Sequence, residues 1–274
     1  MKSRLTITLT KDVLERVDRI IDGKDLRNRS HAIEHLIRKS LTPTINRAVI
    51  LAGGKNKEGT PPLLSLINDK PLLFIIIEHL KKNKVSEFII CAGQHEGKIR
   101  KMLNNGEAAG IKIVYSKENK PLGTAGAIKN AQKHLLGEPF LVIHGDILTS
   151  MDFKNFISFH EREDVIATIA VKPRRLEKRY GKVLLQGNKI TDFIGSDKKD
   201  QGISIVNTGV YLFKPEILDL IPDKIPSSLE KDIFPRLAKT GELGAFIFQG
   251  IWANVSRAKD RLQAVSMWNR RIKN

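Results

Sequence analysis

The chain opens on an alternating pattern. Leu5, Ile7 and Leu9 fall on one side of an extended backbone and Arg4, Thr6 and Thr8 on the other, which predicts a strand over residues 1–9. Thr10 then stands where a helix N-cap belongs, with Asp12 in the first turn. Val13, Leu14, Val17, Ile20 and Ile21 recur at helical spacing until Asp22-Gly23 ends the pattern. A second helix is expected from Asn28, with Ala32, Ile33, Leu36 and Ile37 on one face and Thr42-Pro43-Thr44 as its stop. One strand and two helices cannot enclose a core of their own, and a lone strand leaves its edges unpaired. The pattern therefore predicts a small module, residues 1–42, that pairs with a second copy. A linker, 43–46, and a larger domain, 47–274, follow.

Past the linker the pattern changes. Residues 47–54, RAVILAGG, read as a buried strand running into a glycine turn. A helix is expected over Leu72–Asn83, a strand over Glu87–Cys91, a helix over Gly97–Leu103 and a strand over Ile111–Tyr115. A helix over Thr124–Leu136 and a strand over Phe140–His144 continue the series. Strands and helices alternating at this spacing imply an α/β domain with a mostly parallel sheet covered on both faces. In such sheets ligands bind beyond the carboxyl ends of the strands. Gly53-Gly54, Gly123 and Gly145-Asp146 all fall at such ends.

Composition adds three constraints. Forty-seven Lys and Arg against 30 Asp and Glu give a formal charge of +17, which favours polyanionic partners: nucleic acid, nucleotides, phosphosugars or an acidic membrane face. The single cysteine, Cys91, excludes an internal disulfide framework and a Cys-rich zinc site, and a reducing, cytoplasmic location is expected. No apolar run approaches the ~20 residues of a membrane-spanning helix, so no membrane partner is expected. His31 and His35 lie four apart on the second helix without a third ligand nearby, and are not expected to bind metal.

Two resemblances follow from the motifs. Residues 1–42, MKSRLTITLTKDVLERVDRII…LRNRSHAIEHLIRKSL, resemble the ribbon-helix-helix DNA-binding domains of the CopG, Arc and MetJ kind. In that family paired strands enter the major groove. The resemblance implies that Arg4, Thr6 and Thr8 would read bases and that Asn28, Arg29 and Ser30 would clamp a phosphate, with Lys2 as a further phosphate contact. A dimerisation strand without a DNA role is the alternative. Residues 46–270 resemble the sugar-nucleotidyltransferases through AVILAGG, KPLLFIIIEHL, PLGTAGA and VIHGDIL, with NTGVYLF and GIWANVS further on. That resemblance implies a Rossmann-like sheet of the GT-A type, and attack of a sugar phosphate on the α-phosphorus of a nucleoside triphosphate with loss of pyrophosphate.

The resemblance also implies residues. Leu51, Gly53, Gly54, Gln94, Leu122, Gly123, Thr124, Ala125 and Asp146 match positions that hold the nucleoside; Asn207, Gly209 and Glu230 match sugar contacts. Departures are equally specific. The triphosphate loop reads LAGGKNKEGTPPL, without the family's Gly-Thr-Arg or its Pro-Lys-Pro lysine; Lys55 and Lys57 are either substitutes or a solvated turn. The second metal aspartate is Asn254, leaving Asp146 as a residual metal ligand, so that magnesium is expected only if transfer persists. The sugar-phosphate lysine is missing after Ile190-Thr191-Asp192-Phe193, with Lys198 or Lys199 as the nearest candidates. Each lost charge costs a factor of ~10²–10³ in rate.

These departures set the expectation of a transcriptional regulator. On that reading the module reads a palindromic operator as a homodimer, and the large domain has no catalytic residues left. It would then sense a nucleotide or nucleotide-sugar effector, or serve assembly. The alternative is an active sugar-1-phosphate nucleotidyltransferase carrying a DNA-binding or dimerising appendage.

Overall fold

The computed structural model describes residues 6–24, 26–41, 45–54, 61–175, 181–194, 202–223 and 226–272. The chain divides into two compact units, residues 1–44 and 45–274.

In the first unit, helix α1 (Lys11–Asp18) begins after Thr10, whose backbone is extended at φ −68° and ψ 157°. The helix ends before the expected Ile21, because the N–H groups of Ile20 and Ile21 turn to the carbonyls of Val17 and Asp18. Helix α2 (Arg29–Leu41) is capped by Asn28, whose Oδ1 accepts the His31 N–H at 3.0 Å. Arg29 forks onto Asp18 at 2.7 and 2.8 Å and ties the two helices together. The expected strand is not formed over residues 6–10, and residues 1–5 lie outside the described residues. Val17 and Ala32 are buried, while Ile7, Leu9, Val13, Leu36 and Ile37 stay exposed.

The second unit starts with strand β1 (Arg47–Leu51) and a two-residue ribbon, β2 (Leu66–Ile67) with β3 (Lys70–Pro71). There follow α3 (Leu72–Lys81), β4 (Glu87–Cys91), α4 (Glu96–Leu103), β5 (Lys112–Tyr115), α5 (Gly123–Asn130), β6 (Phe140–His144) and β7 (Ile147–Thr149). Its second half runs α6 (Phe153–Glu163), β8 (Ala167–Arg175), β9 (Lys182–Gln186), β10 (Lys189–Ile194), β11 (Ile203–Phe213), α7 (Ile217–Leu220), α8 (Phe234–Lys239), β12 (Leu243–Ile247), β13 (Trp252–Asn254) and α9 (Ala258–Ile272). The expected helix over Thr124–Leu136 is α5 plus a separate tight turn, Gln132–His134.

The main sheet has the order β5-β4-β1-β6-β11-β8-β12-β10-β9. Strands β5, β4, β1 and β6 are parallel neighbours, as are β8 and β12; the other pairings are antiparallel. The continuous apolar run of β1 suits a strand covered on both faces. Ala48 and Ile50 point into a core shared with α3, α6 and α9, and Val49 into one shared with α5, α7 and α8. The parallel quartet brings the carboxyl ends of β1, β4 and β6 together. Among the described residues no helix is long and apolar enough to cross a membrane.

Candidate functional site

Strand ends and glycines build a cleft of about 670 Å³ at this edge of the sheet. Gly145 lets β6 leave the sheet against β1: its N–H donates to the Leu51 carbonyl at 2.8 Å, and a Cβ there would lie 3.1 Å from that same oxygen. Gly123 opens α5 with φ +75°, and a Cβ would meet the Ser227 carbonyl oxygen at 2.4 Å. That carbonyl accepts the N–H groups of Ala125 and Gly126, and Ser227 N–H returns a bond to Leu122. The loop before α8 is thereby fastened to the start of α5.

Of the residues expected to hold a nucleoside, Leu51, Gly53, Gly54, Gln94, Leu122, Gly123, Thr124 and Asp146 line this cleft. Ala125 is instead buried among the apolar residues that support α5. The cleft also takes in Pro62, Leu63, Glu118, Asn119, Lys120 and His144, which the motif matches did not single out as ligand contacts. Glu118 stands three residues before Pro121-Leu122-Gly123-Thr124, close enough for its place beside that motif to have signalled it. Burial pushes its carboxyl above the usual range, against a hydrogen bond from the Leu122 backbone. Lys55 and Lys57, with Lys198 and Lys199, lie outside the described residues.

Asn207, Gly209 and Glu230 form a neighbouring polar network. Asn207 Nδ2 donates to the Tyr211 hydroxyl at 2.9 Å, and that hydroxyl donates to Glu230 Oε1 at 3.2 Å. The other Glu230 oxygen accepts from the hydroxyls of Thr124 at 3.0 Å and Ser228 at 2.9 Å. His144 Nε2 lies 3.8 Å from Glu230, and Gly209, at φ +75°, leaves room for the imidazole. Burial opposes ionisation of Glu230, but the nearby His144 ring and hydrogen bonds from Thr124, Ser228 and the backbone outweigh it and hold its pKa below the usual value. Burial, and then the Glu230 charge, push the Tyr211 phenol up, so it stays a neutral donor. Thr124 and His144 join this network to the cleft.

Asp146 sits where β6 passes into β7. Its Oδ2 accepts Asn254 Nδ2 at 2.7 Å; its Oδ1 is buried and has no hydrogen-bond partner. An unpaired buried carboxylate oxygen on a residue that lines a cleft fits a hard divalent cation. Among the described residues no cluster of three or more His, Cys, Asp or Glu could cage a metal by itself. The fit is therefore to a cation that takes its remaining ligands from water and phosphate.

A glycine-walled cleft at the carboxyl ends of parallel strands, lined by a carboxylate residue, is the place where α/β sheets bind ligands. Residues 47–269 match the family model described as Nucleotidyl transferase, and the chain belongs to that family. Mannose-1-phosphate guanyltransferase beta-B of Xenopus laevis is 32% identical over 235 residues, covering 81% of this chain and 64% of its own length. The catalytic subunit beta of mannose-1-phosphate guanylyltransferase from Drosophila melanogaster is 32% identical over 234 residues, covering 81% and 62%. The chain thus spans less than two thirds of these curated relatives. HddC from Yersinia pseudotuberculosis, solved as a complex with GMP-PN, superposes with a TM-score of 0.71 at 28% identity, covering 82% of this chain and all of its own.

These findings overturn the expected DNA-binding transcriptional regulator with an inactive sensor domain: the relatives are named as transferases, and the likeness runs through the large unit. The partners expected with that reading, a palindromic operator and a second copy arranged to read it, fall with it. In the single chain Thr6 and Thr8 are exposed and belong to no strand, and Lys2 and Arg4 lie outside the described residues. Arg29 is paired with Asp18 in an exposed ion pair, and the Asn28 side chain caps α2. Lys120 lines the cleft and brings a positive charge that the departures in the short motifs do not remove.

Proposed function

We propose that the protein transfers a nucleotidyl group from a nucleoside triphosphate to a sugar 1-phosphate. A phosphate oxygen of the sugar phosphate bonds to the α-phosphorus, the bond to the β-phosphate oxygen breaks, and pyrophosphate leaves with that electron pair. The observation that carries this reading is Asp146, a residue that lines a glycine-walled cleft and has one buried carboxylate oxygen without a partner. The names of the relatives favour GTP and a mannose-type sugar phosphate.

The chain's own residues divide the work. Gly53, Gly54 and Gly123 let backbone approach the nucleotide closely. Glu118 offers two acceptor oxygens, which complement the adjacent N1–H and N2–H donors of guanine and clash with adenine's N1 acceptor. The Asn207–Tyr211–Glu230 network, braced by His144, presents acceptors for sugar hydroxyls. Lys120 brings positive charge to the cleft wall. Asp146 would hold magnesium, which when bound supplies charge neutralisation across the triphosphate. Catalysis is then mostly positioning.

The division into residues 1–42, 43–46 and 47–274 belongs to the same proposal, and the split at 44/45 supports it. The first module keeps its ribbon-helix-helix likeness in sequence.

The test is pyrophosphate release from each of the common triphosphates with mannose 1-phosphate and related sugar phosphates. Turnover should appear with GTP, and Asp146→Ala should lower kcat by about 10²–10³. No release with any pair would refute the reading.

A further inference from the structure

We propose that Asn254 is a positioning residue that makes Asp146 a one-carboxylate metal site, so that the divalent cation enters on the triphosphate and not ahead of it. This inference rests on the nucleotidyl-transfer reading above. It starts from register: β13 pairs antiparallel with β7, Asn254 opposite Ile147, and Val255 N–H donates to the Asp146 carbonyl at 2.8 Å. Two residues distant in sequence are thereby fixed side by side on backbone hydrogen bonds.

The orientation of the Asn254 amide is dictated by its neighbours. Ser256 N–H, which can only donate, lies 3.0 Å from Asn254 Oδ1, and the Ser256 hydroxyl donates to the same oxygen. The Asp146 carboxylate can only accept, so the amide NH₂ faces it. The consequence is an asymmetric carboxylate: Oδ2 is held at 2.7 Å, and Oδ1 is buried without a partner. The one Asn254 atom able to ligate a metal is already occupied by Ser256. The pair thus offers a cation a single anionic oxygen, fixed in place.

One carboxylate oxygen holds a hard, well-hydrated cation weakly; triphosphate oxygens supply the remaining ligands. Asn254→Asp changes this balance. It puts a carboxylate oxygen where the amide nitrogen stands, 2.7 Å from Asp146 Oδ2. Two like charges at that spacing repel, and a divalent cation relieves them. The substituted chain should therefore bind free metal that the natural chain does not hold.

The experiment counts free Mn²⁺ by electron paramagnetic resonance with the full chain, alone and with a non-hydrolysable GTP analogue. The natural chain should bind Mn²⁺ alone about tenfold or more weakly than Asn254→Asp, and should take up Mn²⁺ strongly once the analogue is added. Asn254→Ala should leave the weak binding of Mn²⁺ alone unchanged but lose affinity for the Mn²⁺–analogue complex, because Asp146 is no longer held. Natural chain that binds Mn²⁺ alone as tightly as Asn254→Asp would overturn this inference and leave the transferase reading standing. Full affinity for the Mn²⁺–analogue complex in Asn254→Ala would overturn the positioning role. Failure of the natural chain to bind the analogue, with or without Mn²⁺, would overturn the transferase reading and this inference with it.

Discussion

Gly123 carries two constraints at one atom. Its φ of +75° is unfavourable for any residue with a Cβ, and that Cβ would stand 2.4 Å from the Ser227 carbonyl oxygen. Neither a backbone carbonyl nor the first residue of α5 can yield without breaking the Ser227 bonds to Ala125, Gly126 and Leu122. Gly123→Ala should therefore destabilise the large unit by about 2 kcal/mol or more and weaken nucleotide binding, both visible in denaturant melts and nucleotide titrations. Glu118 bears on choice of base. Replacing one acceptor oxygen by an NH₂ in Glu118→Gln should reduce the preference for GTP over ATP by about 10–100-fold, read as the ratio of kcat/KM values. Burial raises the Glu118 pKa, so its charged form is lost at a higher pH than for a free glutamate. Guanine preference should fall as pH drops through that raised value, and Glu118→Gln should show no such fall.

Elements differ in how plainly sequence announces them. Strands β1, β4 and β6 are legible because each is an apolar run ending in glycine or a polar residue, and the glycines that shape the cleft lie in recognisable motifs. Helix ends are less so. Ile20 and Ile21 continue the helical spacing of α1, yet the chain turns after Asp18. Asp152 is a clearer boundary: its Oδ1 accepts the Asn155 N–H at 3.1 Å and caps α6. Asp152→Ala should cost about 1 kcal/mol in a denaturant melt and leave transferase kinetics unchanged. Pairings between distant residues were not legible. The contacts among His144, Tyr211 and Glu230 exist only because β6 and β11 are neighbours and the loop before α8 folds back over them. The bond between Asp18 and Arg29 cannot be read from either residue alone.

At the scale of the whole molecule, two apolar layers clasp one sheet, and a titratable group buried between sheet and helix becomes a liability for the fold. His160 on α6 is 3% exposed. Its Nδ1 is 2.7 Å from the Thr168 hydroxyl on β8, and its Nε2 has no partner. Burial, and then the charge of Lys214, push its pKa from 6.5 down to about 4. The folded chain therefore keeps His160 neutral at a pH where the unfolded chain has already protonated it. Protons bind the unfolded state more strongly in that window, so stability is full above pH 6.5 and falls as the pH drops toward 4. The loss should reach about 3 kcal/mol at the lower end, a large share of the usual margin of a folded domain. His160→Gln retains a hydrogen-bonding partner for Thr168 and does not titrate. Its unfolding free energy, measured by denaturant between pH 7 and 4, should fall by about 3 kcal/mol less than that of the natural chain. Equal slopes for the two proteins would show that His160 is protonated in the folded state and that the sheet admits the charge.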